Sequence, residues 1–403
     1  MDSSEITLEA VSSISQIAAE EWDACANPVM TPVGSPDGFK SPYNPFVSHA
    51  FFAAIEASGS AIPRTGWGPR HLLARCDGVI AGIVPCYLKS HSQGEYVFDR
   101  GWADAYSRAG GSYYPKLQAS VPFTPATGPR LLIRHDADQD DIRNALARGL
   151  IGLCEATEAS SVHVTFAREA ESKFLSQHGF LQRTDQQFHW HNQGYRSFDD
   201  FLATLNSRHR KAIKRERREA VANGITIHAL NGSEITEDAW DAFFAFYMET
   251  GSRKWGRPYL TRSFFSLIGE TMAKDVLLVM ARRNNRWIAG AINFIGSDTL
   301  FGRNWGAIEH HPFLHFEVCY YQAIDYAIAR GLKNVEAGAQ GEHKLARGYL
   351  PQTTHSAHYI ADPSLRHAIK DYLKRERAYV AEMGRELSEA GPFRKADDSG
   401  DED

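Results

Sequence analysis

The feature that most constrains the fold is an order of elements that occurs twice. Residues 71–89 and 276–296 each predict a strand, a tight polar turn and a second strand, and a helix and another short strand follow each hairpin. The second strand of each hairpin carries the tripeptide Ile-Ala-Gly, at 80–82 and at 288–290. Two copies of one α/β fold are the most economical explanation of this order.

The seam between the copies is predicted near residues 193–198, where Gly194 ends a closing strand and a new amphipathic helix begins. This seam predicts an N-terminal domain over residues 1–195, a C-terminal domain over 196–390 and a disordered acidic tail over 391–403. The last helix, over 363–387, is expected to pack on the second domain.

The overall composition excludes several classes of protein. The net charge of −5 gives no general attraction to nucleic acid or anionic lipid, so such binding requires a local patch. The five cysteines are scattered without a CxxC pair, which argues against a disulfide framework or a thiolate zinc site. The acidic N-terminus does not resemble a signal peptide, and no apolar run approaches the ~20 residues of a membrane span. These features predict a soluble cytoplasmic protein.

The run GAQGEHKLARGYLP, residues 338–351, combines glycines with strongly polar side chains directly after the predicted strand 333–338. Loops of this kind at strand ends usually carry binding and catalytic groups, whereas a solvated turn needs few of them. The candidate residues in this run are Gln340, Glu342, His343, Lys344 and Arg347.

A strongly basic helix is predicted over residues 208–219, where seven of twelve residues are Arg or Lys and two are Glu. One interpretation is a solvated helix with internal ion pairs. The other is a surface for phosphates, either of a nucleotide-activated donor or of RNA. The candidate phosphate-binding residues are Arg208, Arg210, Lys211 and Lys214.

A region rich in aromatic residues, 91–132, has neither helical nor strand periodicity and is braced by prolines. It is interpreted as one wall of a substrate cleft, with an interdomain packing loop as the alternative. Its ionisable candidates are His91, Glu95 and Asp99, and its candidate substrate-binding residues are Trp102, Tyr113, Tyr114 and Lys116.

The segment 303–317 contains a His-x-x-x-His pair, but Pro312 pushes the preceding residue out of helical geometry and argues against a metal site. No metal is therefore expected. Glu317 is a candidate acid or base, or else a carboxylate that stabilises the start of a helix. Arg303 and Trp305 are candidate substrate-binding residues. No dinucleotide, P-loop or nucleophile-elbow motif occurs in the chain.

Several long blocks together resemble the Fem-like branch of the GNAT acyltransferase superfamily, and within it the peptidoglycan biosynthesis/recognition group of N-acyltransferases. The blocks are 41–56, 87–99, 113–118, 121–132, 208–224, 254–265 and 316–351, and the resemblance extends over about residues 6–385. It implies tandem GNAT folds, each with a mixed sheet flanked by helices, and acyl transfer to an amine.

The resemblance also bears on the donor and on the site. Fem-like enzymes use aminoacyl-tRNA and a cell-wall precursor, whereas ordinary GNAT enzymes use acyl-CoA held by a glycine-rich loop. The corresponding segment here contains only Gly306. Lys344 matches a lysine that is thought to face the transfer channel of Fem-like enzymes.

Amide formation from an activated ester requires a neutral amine, stabilisation of an oxyanion and a proton for the leaving group. Lys344 and Arg347 are expected to stabilise the oxyanion and to converge on one cavity with the carboxylates of region 91–132. The candidate bases are His343, Glu342, Glu317, His91, Glu95 and Asp99. No tightly bound cofactor is expected, since the donor is a co-substrate. The alternatives are an acyl-CoA-dependent N-acetyltransferase of a small amine and a non-catalytic glycan or peptide binder.

Overall fold

The computed structural model describes residues 5–28, 43–255, 258–338 and 341–394. These residues form two compact units. The first comprises the described residues through Asp185, with Tyr259–Phe264 and Thr354–Val380. The second comprises the described residues from Gln186 to Pro258, Phe265 to Thr353 and Ala381 onward. Both units are thus discontinuous in sequence, and the proposed boundary at 195/196 does not take this interleaving into account.

The first half of the chain contains these strands and helices in order: β1 (Ile6–Val11), α1 (Ala19–Ala26), α2 (His49–Ala57), β2 (Trp67–Pro69), β3 (His71–Cys76), β4 (Val79–Val84), β5 (Cys86–Lys89), α3 (Arg100–Arg108), β6 (Lys116–Ala119), β7 (Leu132–Ile133), α4 (Gln139–Ala156), β8 (Ser161–Ala167), α5 (Glu169–Ser176) and β9 (Leu181–His191).

The second half continues with α6 (Phe198–Ala203), α7 (Ser207–Ala220), β10 (Thr226–Asn231), α8 (Glu237–Trp255), α9 (Arg262–Thr271), β11 (Val276–Arg283), β12 (Arg286–Ile295), β13 (Thr299–Ala307), α10 (Leu314–Phe316), a π-helical turn (Glu317–Tyr321), α11 (Gln322–Arg330), β14 (Asn334–Glu336), β15 (Leu350–Ile360) and α12 (Pro363–Glu389).

The repeated hairpins are confirmed as β3–β4 and β11–β12. Both turn residues have positive φ in each hairpin, Asp77 and Gly78 in the first and Asn284 and Asn285 in the second, as a two-residue turn of this twist requires. Each ladder also contains a register shift just before its turn. In the first copy, a Cβ on Gly82 would lie 2.5 Å from Ile142 of α4, so the shared tripeptide allows the helix to approach the sheet.

The first unit has two sheets. One has the strand order β1-β3-β4-β7, and the other contains β15-β8-β6-β5-β2 with β6 and β8 parallel. Alternate residues of the second sheet face opposite ways. One face is apolar and packs with α4 in a core that includes Leu117, Val162 and Ala357. The other face is polar yet buried, and it carries Lys116, Gln118 and His163.

The strands of the second unit follow the order β10-β11-β12-β13-β14-β9. Among the described strands of this unit, β13 and β14 form the one parallel pair, over Thr299–Phe301 with Asn334–Glu336. The strand β14 ends at Glu336, whereas β13 continues to Ala307. The core of the unit packs Leu300, Tyr321 and other buried residues around this region.

Three expectations need correction. The start of α12 packs in the first unit, where Leu365, Ile369 and Leu373 contact a cluster that contains Trp102, because the preceding strand β15 pairs with β8. The beginning of the tail is ordered, since the N–H of Arg394 donates to the carbonyl of Thr204. Region 91–132 is not wholly irregular, because it contains α3 and β6.

None of the helices in the described part of the chain combines the length and apolar character that crossing a bilayer would require.

Candidate functional site

A small cavity of about 70 Å³ lies in the second unit, between the second half of β13 and the residue that follows β14. The predicted binding residues Arg303 and Trp305 both line it. The rest of its wall comes from β12, β13, the helix after β13 and the end of β14: Ala291, Asn293, Gly302, Asn304, His315, Cys319, Tyr320 and Ala337.

Lys344 lies next to this cavity and is 3% exposed. It belongs to a 3₁₀ segment, Glu342–Arg347, that begins after Gly341 and ends at Gly348, both with positive φ. Its Nζ donates to the carbonyl of Ala337 at 2.7 Å and to that of Gly338 at 3.1 Å. Burial lowers the pKa of this amine to about 8. The Gly-flanked loop therefore holds a buried ammonium beside the wall residue Ala337.

Arg347 is bound to α7. Its Nη2 donates to both oxygens of Glu216 at 2.9 and 2.8 Å, and its Nη1 donates to the carbonyl of His343 at 2.6 Å. Its guanidinium also lies 3.4 Å from the ring centroid of Phe316. Tyr321 donates a further short hydrogen bond to Glu216. Arg347 is therefore a buried cation whose two Nη atoms fix the loop of Lys344, while its buried Nε makes no hydrogen bond within the described residues.

Glu317 has a similar anchoring geometry. Its two oxygens accept from Arg217 at 3.1 and 2.9 Å, and one also accepts from Gln322 at 2.7 Å. Glu317 opens the π-helical turn, a distortion that is frequent at functional sites. A carboxylate with these partners suits positioning better than proton abstraction.

The remaining candidates of this loop differ in what can be described. His343 is exposed, and its Nε2 lies 3.0 Å from the hydroxyl of Tyr320, a residue of the cavity wall. Gln340 and the side chain of Glu342 lie outside the described residues.

The basic helix α7 has two distinct faces. Ile213, Glu216 and Ala220 are buried, and they attach the helix to the unit. Arg208, Lys211 and Lys214 are exposed and Arg210 is half-buried. Lys214 pairs with Asp199 at 3.3 Å, but both side chains are largely exposed, so this pair holds the lysine weakly. Glu216 and Arg217 therefore fix α7 next to Lys344 while the outer bases face solvent.

The candidates from region 91–132 meet in the first unit around Lys116, which is buried on β6. Its Nζ donates to Glu95 at 2.6 Å, to Ser92 at 2.9 Å, and to Asp99 through a very short bond. A second buried amine, that of Lys89, lies 3.8 Å from Glu95. Two lysines and two carboxylates thus share a buried site.

This arrangement perturbs the acid–base behaviour of each group. Burial raises the pKa of Glu95 to about 7, although Lys116 and Lys89 oppose the rise. Burial also lowers the pKa of Lys89 to about 7. For Asp99, burial acts upward, but the charge of Lys116, the charge of His163 and the hydrogen bonds from Lys116 and Ser92 together outweigh it, and the net pKa is lowered. Burial thus shifts the pKa values of Glu95 and Lys89 in opposite directions, toward neutral pH.

A buried hydrogen-bonded chain continues from this cluster. Tyr113 donates to Asp99 at 2.8 Å, and its hydroxyl is 3.3 Å from Nε2 of His163. The Nδ1 atoms of His163 and His358 are 2.7 Å apart, so one ring donates to the other. Trp102 packs against both imidazoles. Aromatic candidates thus enclose the chain.

The sequence interpretation missed several of these residues. Lys89, His163, His358 and the buried amide of Gln118 were not selected, although a signal exists. Polar residues alternate in three stretches of the sequence that form β6, β8 and β15, and side chains at alternate positions of a strand share a face of the sheet. The alternating sets are Lys116, Gln118 and Ser120; Ser161, His163 and Thr165; and Thr354, Ser356 and His358.

Two other candidates brace loops. The Nδ1 of His91 accepts from the N–H of Gln93 at 3.1 Å, which leaves Nε2 to donate to the carbonyl of Thr65 at 3.0 Å. Tyr114 shares a 2.7 Å hydrogen bond with Ser92. Both candidates therefore stabilise loops beside the buried site of Lys116, Lys89, Glu95 and Asp99, which we call the Lys116 cluster.

Because the imidazoles of His163 and His358 are buried, we expect the protein to lose stability in acid. Burial lowers the pKa of His163 to about 3 and that of His358 well below its ordinary value. Below pH 6.5 the unfolded chain therefore binds protons that the folded protein excludes. Each imidazole costs about 1.4 kcal/mol of unfolding free energy per pH unit in this range. Glu95 has a raised pKa, so between about pH 7 and 4.5 its carboxyl binds more protons in the folded protein than in the unfolded chain, and acidification stabilises the fold there. This gain offsets the loss from only one of the two imidazoles.

Urea unfolding between pH 7 and 4.5 tests this prediction. The double variant His163→Gln with His358→Gln is expected to lose less of its own pH 7 stability on acidification than the wild type loses. Parallel pH dependences for the two proteins would contradict the assignment.

Comparisons with known proteins relate this architecture to a known fold and a known family. No protein in the curated comparison set matches the chain significantly. Among solved structures, FemX is similar with 13% identity and a TM-score of 0.52, over 88% of this chain and 98% of the other. The likeness to FemX supports the fold, an α/β tandem of GNAT-like units.

Weaker similarities extend to two further structures. L-PGS from Bacillus licheniformis has 8% identity and a TM-score of 0.49, over 84% of this chain and 99% of the other. A tandem GNAT protein from the clavulanic acid biosynthesis pathway has 10% identity and a TM-score of 0.43, over 89% and 99%.

The profile of one protein family, FemAB-like, described as peptidoglycan biosynthesis/recognition, matches residues 13–395. This match covers nearly the whole chain, including both units and the loop of Lys344. The protein therefore belongs to the FemAB-like family.

Proposed function

We propose that this protein is an N-acyltransferase that moves an acyl or aminoacyl group from an activated donor to the amine of a peptidoglycan precursor. Membership of the FemAB-like family supports the reaction class. The observation that carries the proposal is the buried amine of Lys344, with its pKa lowered to about 8, which donates to the carbonyl of the cavity residue Ala337.

In the proposed reaction, the acceptor nitrogen attacks the donor carbonyl and forms a tetrahedral oxyanion. The C–N bond forms, the bond to the leaving oxygen or sulfur breaks, and the leaving atom takes up a proton. Lys344 is protonated below about pH 8 and would donate a hydrogen bond to the oxyanion. Arg347 would hold the loop through Glu216. No covalent intermediate on the protein is required.

We assign the Lys116 cluster of the first unit to recognition of the acceptor. Its carboxylates would hold an ammonium group, and Glu95, with a pKa of about 7, would accept the proton released when the amine becomes nucleophilic. His343 is the alternative base, in the second unit. Chemical cross-linking of the bound acceptor, followed by mapping of the attached residues, would test this assignment.

We favour an aminoacylated RNA as the donor. The exposed bases of α7 offer a surface for phosphates, and α7 is fixed to the loop of Lys344 by Glu216. The segment 303–317, which contains the end of β13, is poorly suited to CoA pyrophosphate. Its Gly306 serves close packing, since a Cβ there would lie 2.1 Å from the carbonyl oxygen of Phe246. A CoA-dependent reaction is the alternative outcome of the test.

The test is a screen by thermal shift and mass spectrometry with aminoacylated tRNAs, acyl-CoAs and amino-containing cell-wall precursors. Stabilisation by a charged tRNA, together with a product of the expected mass, would support the proposal. A product formed only from acyl-CoA would identify a CoA-dependent enzyme. Saturable acceptor binding without product from any donor would instead identify a non-catalytic binder, and would overturn the proposal.

The RNA-donor assignment predicts a salt-dependent interaction. The variant Lys211→Gln with Lys214→Gln is expected to bind tRNA several-fold more weakly in low salt. It should also reduce the slope of log affinity against log salt by about one to two, because each lost phosphate contact removes close to one released counterion. Fluorescence anisotropy over a salt series would measure both quantities.

Lys333→Gln with Lys274→Gln provides the matched control, because it makes the same change of charge elsewhere in the second unit. If the control and the α7 variant weaken binding equally, α7 is not the donor surface.

A further inference from the structure

The strand β10 forms an outer edge of the sheet in the second unit, since among the described strands it pairs with β11 alone. None of its six residues is buried, whereas six of the eight residues of β11 are buried. Its sequence, Thr-Ile-His-Ala-Leu-Asn, contains no proline and no Lys, Arg, Asp or Glu, and its ladder with β11 has no bulge. An edge of this length and character is open to pairing with a further strand.

The edge strands of the first unit carry the protections that proteins normally use against such pairing. The strand β7 has two residues, and β2 has three and ends in Pro69. The longer strand β1 carries a charged residue, Glu9, whose carboxylate binds Arg75 at 3.1 Å. The strand β10 has none of these protections, so its open edge requires another explanation.

Half of the main-chain groups of β10 point away from β11, because successive residues of an antiparallel ladder face opposite sides. The N–H of Asn231 donates to a carboxylate oxygen of Glu234 at 3.1 Å and so does not face β11. By alternation, the main-chain groups of Ile227 and Ala229 also face outward. No hydrogen bond from the described residues reaches these groups.

The register of the neighbouring strands gives the same result. The N–H of Gly296 donates to the carbonyl of Thr299, so even-numbered residues at this end of β12 face β13, and Asn293 faces β11. Asn293 is opposite Leu277, which must then face β12, and Leu277 is in turn opposite Asn231. The main chain of Asn231 therefore faces away from β11.

The outward groups of β10 are complementary to those of a second β10 that is related by a two-fold axis. An axis at His228 places Ile227 of each chain opposite Ala229 of the other, and each such pair exchanges two hydrogen bonds. His228 then lies opposite its own copy, in a pair whose Cα atoms are about 4.5 Å apart. An axis at Ala229 is less favourable, because Ile227 would then meet Asn231, whose N–H is already bonded to Glu234.

The charges at the two ends of the strand also favour antiparallel pairing. Three arginines and one glutamate are close to Thr226: Arg282, its partner in the ladder, with Arg283, Arg286 and Glu309. The segments that follow Asn231 or bind its side chain contain four acids and one lysine: Glu234, Glu237, Asp238, Asp275 and Lys274. Antiparallel pairing brings the basic end of one chain to the acidic end of the other.

We infer that the protein forms a two-fold symmetric dimer in which the β10 strands of two copies pair antiparallel, with His228 at the axis. This pairing bonds the outward main-chain groups of Ile227 and Ala229 and opposes no like charges within the two strands. A segment of another protein would need the opposite order of charges along its length, which a second copy supplies by symmetry. The inference does not depend on the proposed transfer reaction.

Sedimentation equilibrium of the full chain over a concentration series is expected to show a reversible equilibrium between monomer and dimer. Ala229→Lys introduces on β10 the kind of charge by which natural edge strands avoid pairing, and it should weaken dimerisation by about tenfold. Ala203→Lys is the matched control, because it adds the same charge at an exposed position of α6. The control should dimerise like the wild type, and thermal melting will show that both variants are folded.

Cysteine substitution tests the position of the axis. His228→Cys should form a disulfide-linked dimer when diamide is the oxidant, because the paired Cα atoms lie within the range that a disulfide spans. Ala229→Cys is the control, since its two copies are diagonal neighbours about 7–8 Å apart, beyond that range. The wild type, with its five native cysteines, gives the background.

A wild type that stays monomeric at every concentration overturns the inference, as does equal weakening of dimerisation by Ala229→Lys and Ala203→Lys. Cross-linking of Ala229→Cys in place of His228→Cys overturns the proposed axis.

Discussion

Replacing Lys344 with Met is expected to lower the rate of acyl transfer by at least about a hundredfold, the usual effect of removing a donor to a developing oxyanion. Met retains most of the buried stem and removes the ammonium. The side chain contributes two hydrogen bonds, to the carbonyls of Ala337 and Gly338, so the variant should fold with a modestly lower melting temperature. Single-turnover rates with the donor found in the screen would measure the effect.

The pH dependence of this step provides a second test of the role of Lys344. Its folded pKa is about 8, so the cationic form, and transfer that depends on it, should decline above pH 8. Lys344→Arg, if it retains activity, should lose this decline because a guanidinium stays protonated.

The exposed Lys333 of the same unit offers a control, since Lys333→Met removes one lysine away from the cavity. Full turnover by Lys344→Met would show that the ammonium has no catalytic role.

Replacing Lys116 with Met is expected to lower the free energy of unfolding by about 3–5 kcal/mol, the range found when one partner of a buried ion pair is removed. The substitution leaves the carboxylates of Glu95 and Asp99 buried without their shared partner. Each carboxylate then disfavours ionisation of the other, so the pKa of both should rise. Urea unfolding at pH 7 would measure the loss.

Two comparisons distinguish lost ion pairing from general damage. Adding Asp99→Asn to Lys116→Met should restore part of the stability, because it removes one uncompensated buried charge. Lys173→Met, which breaks the exposed pair between Lys173 and Glu169, should leave stability unchanged within error. If Lys116→Met unfolds at the same urea concentration as the wild type, the cluster is solvated and not suited to the proposed recognition of an amine.

Much of the architecture is determined by local patterns in the sequence. The two hairpins follow from alternating apolar residues around turn residues that tolerate positive φ, such as Asp77 and Asn284. The basic helix α7 was recognisable from a run of Arg and Lys around one apolar residue, Ile213. The loop at 338–351 was recognisable because its glycines flank strongly polar side chains that a turn does not require. Each of these signals lies within a short stretch of residues, so it can be recognised in a single sequence.

The tertiary structure alone determined which charged groups meet. Glu216 reads in sequence as one acid of a solvated helix, yet it lies buried against Arg347, 131 residues away. His163 and His358 are 195 residues apart and become partners because β15 pairs with β8. The small cavity is lined by Ala291, Arg303, Cys319 and Ala337, which come from four separate segments of the chain. Each of these features depends on contacts between segments that are far apart in the sequence. The order in which strands pair determines these contacts, and a local residue pattern does not contain that information.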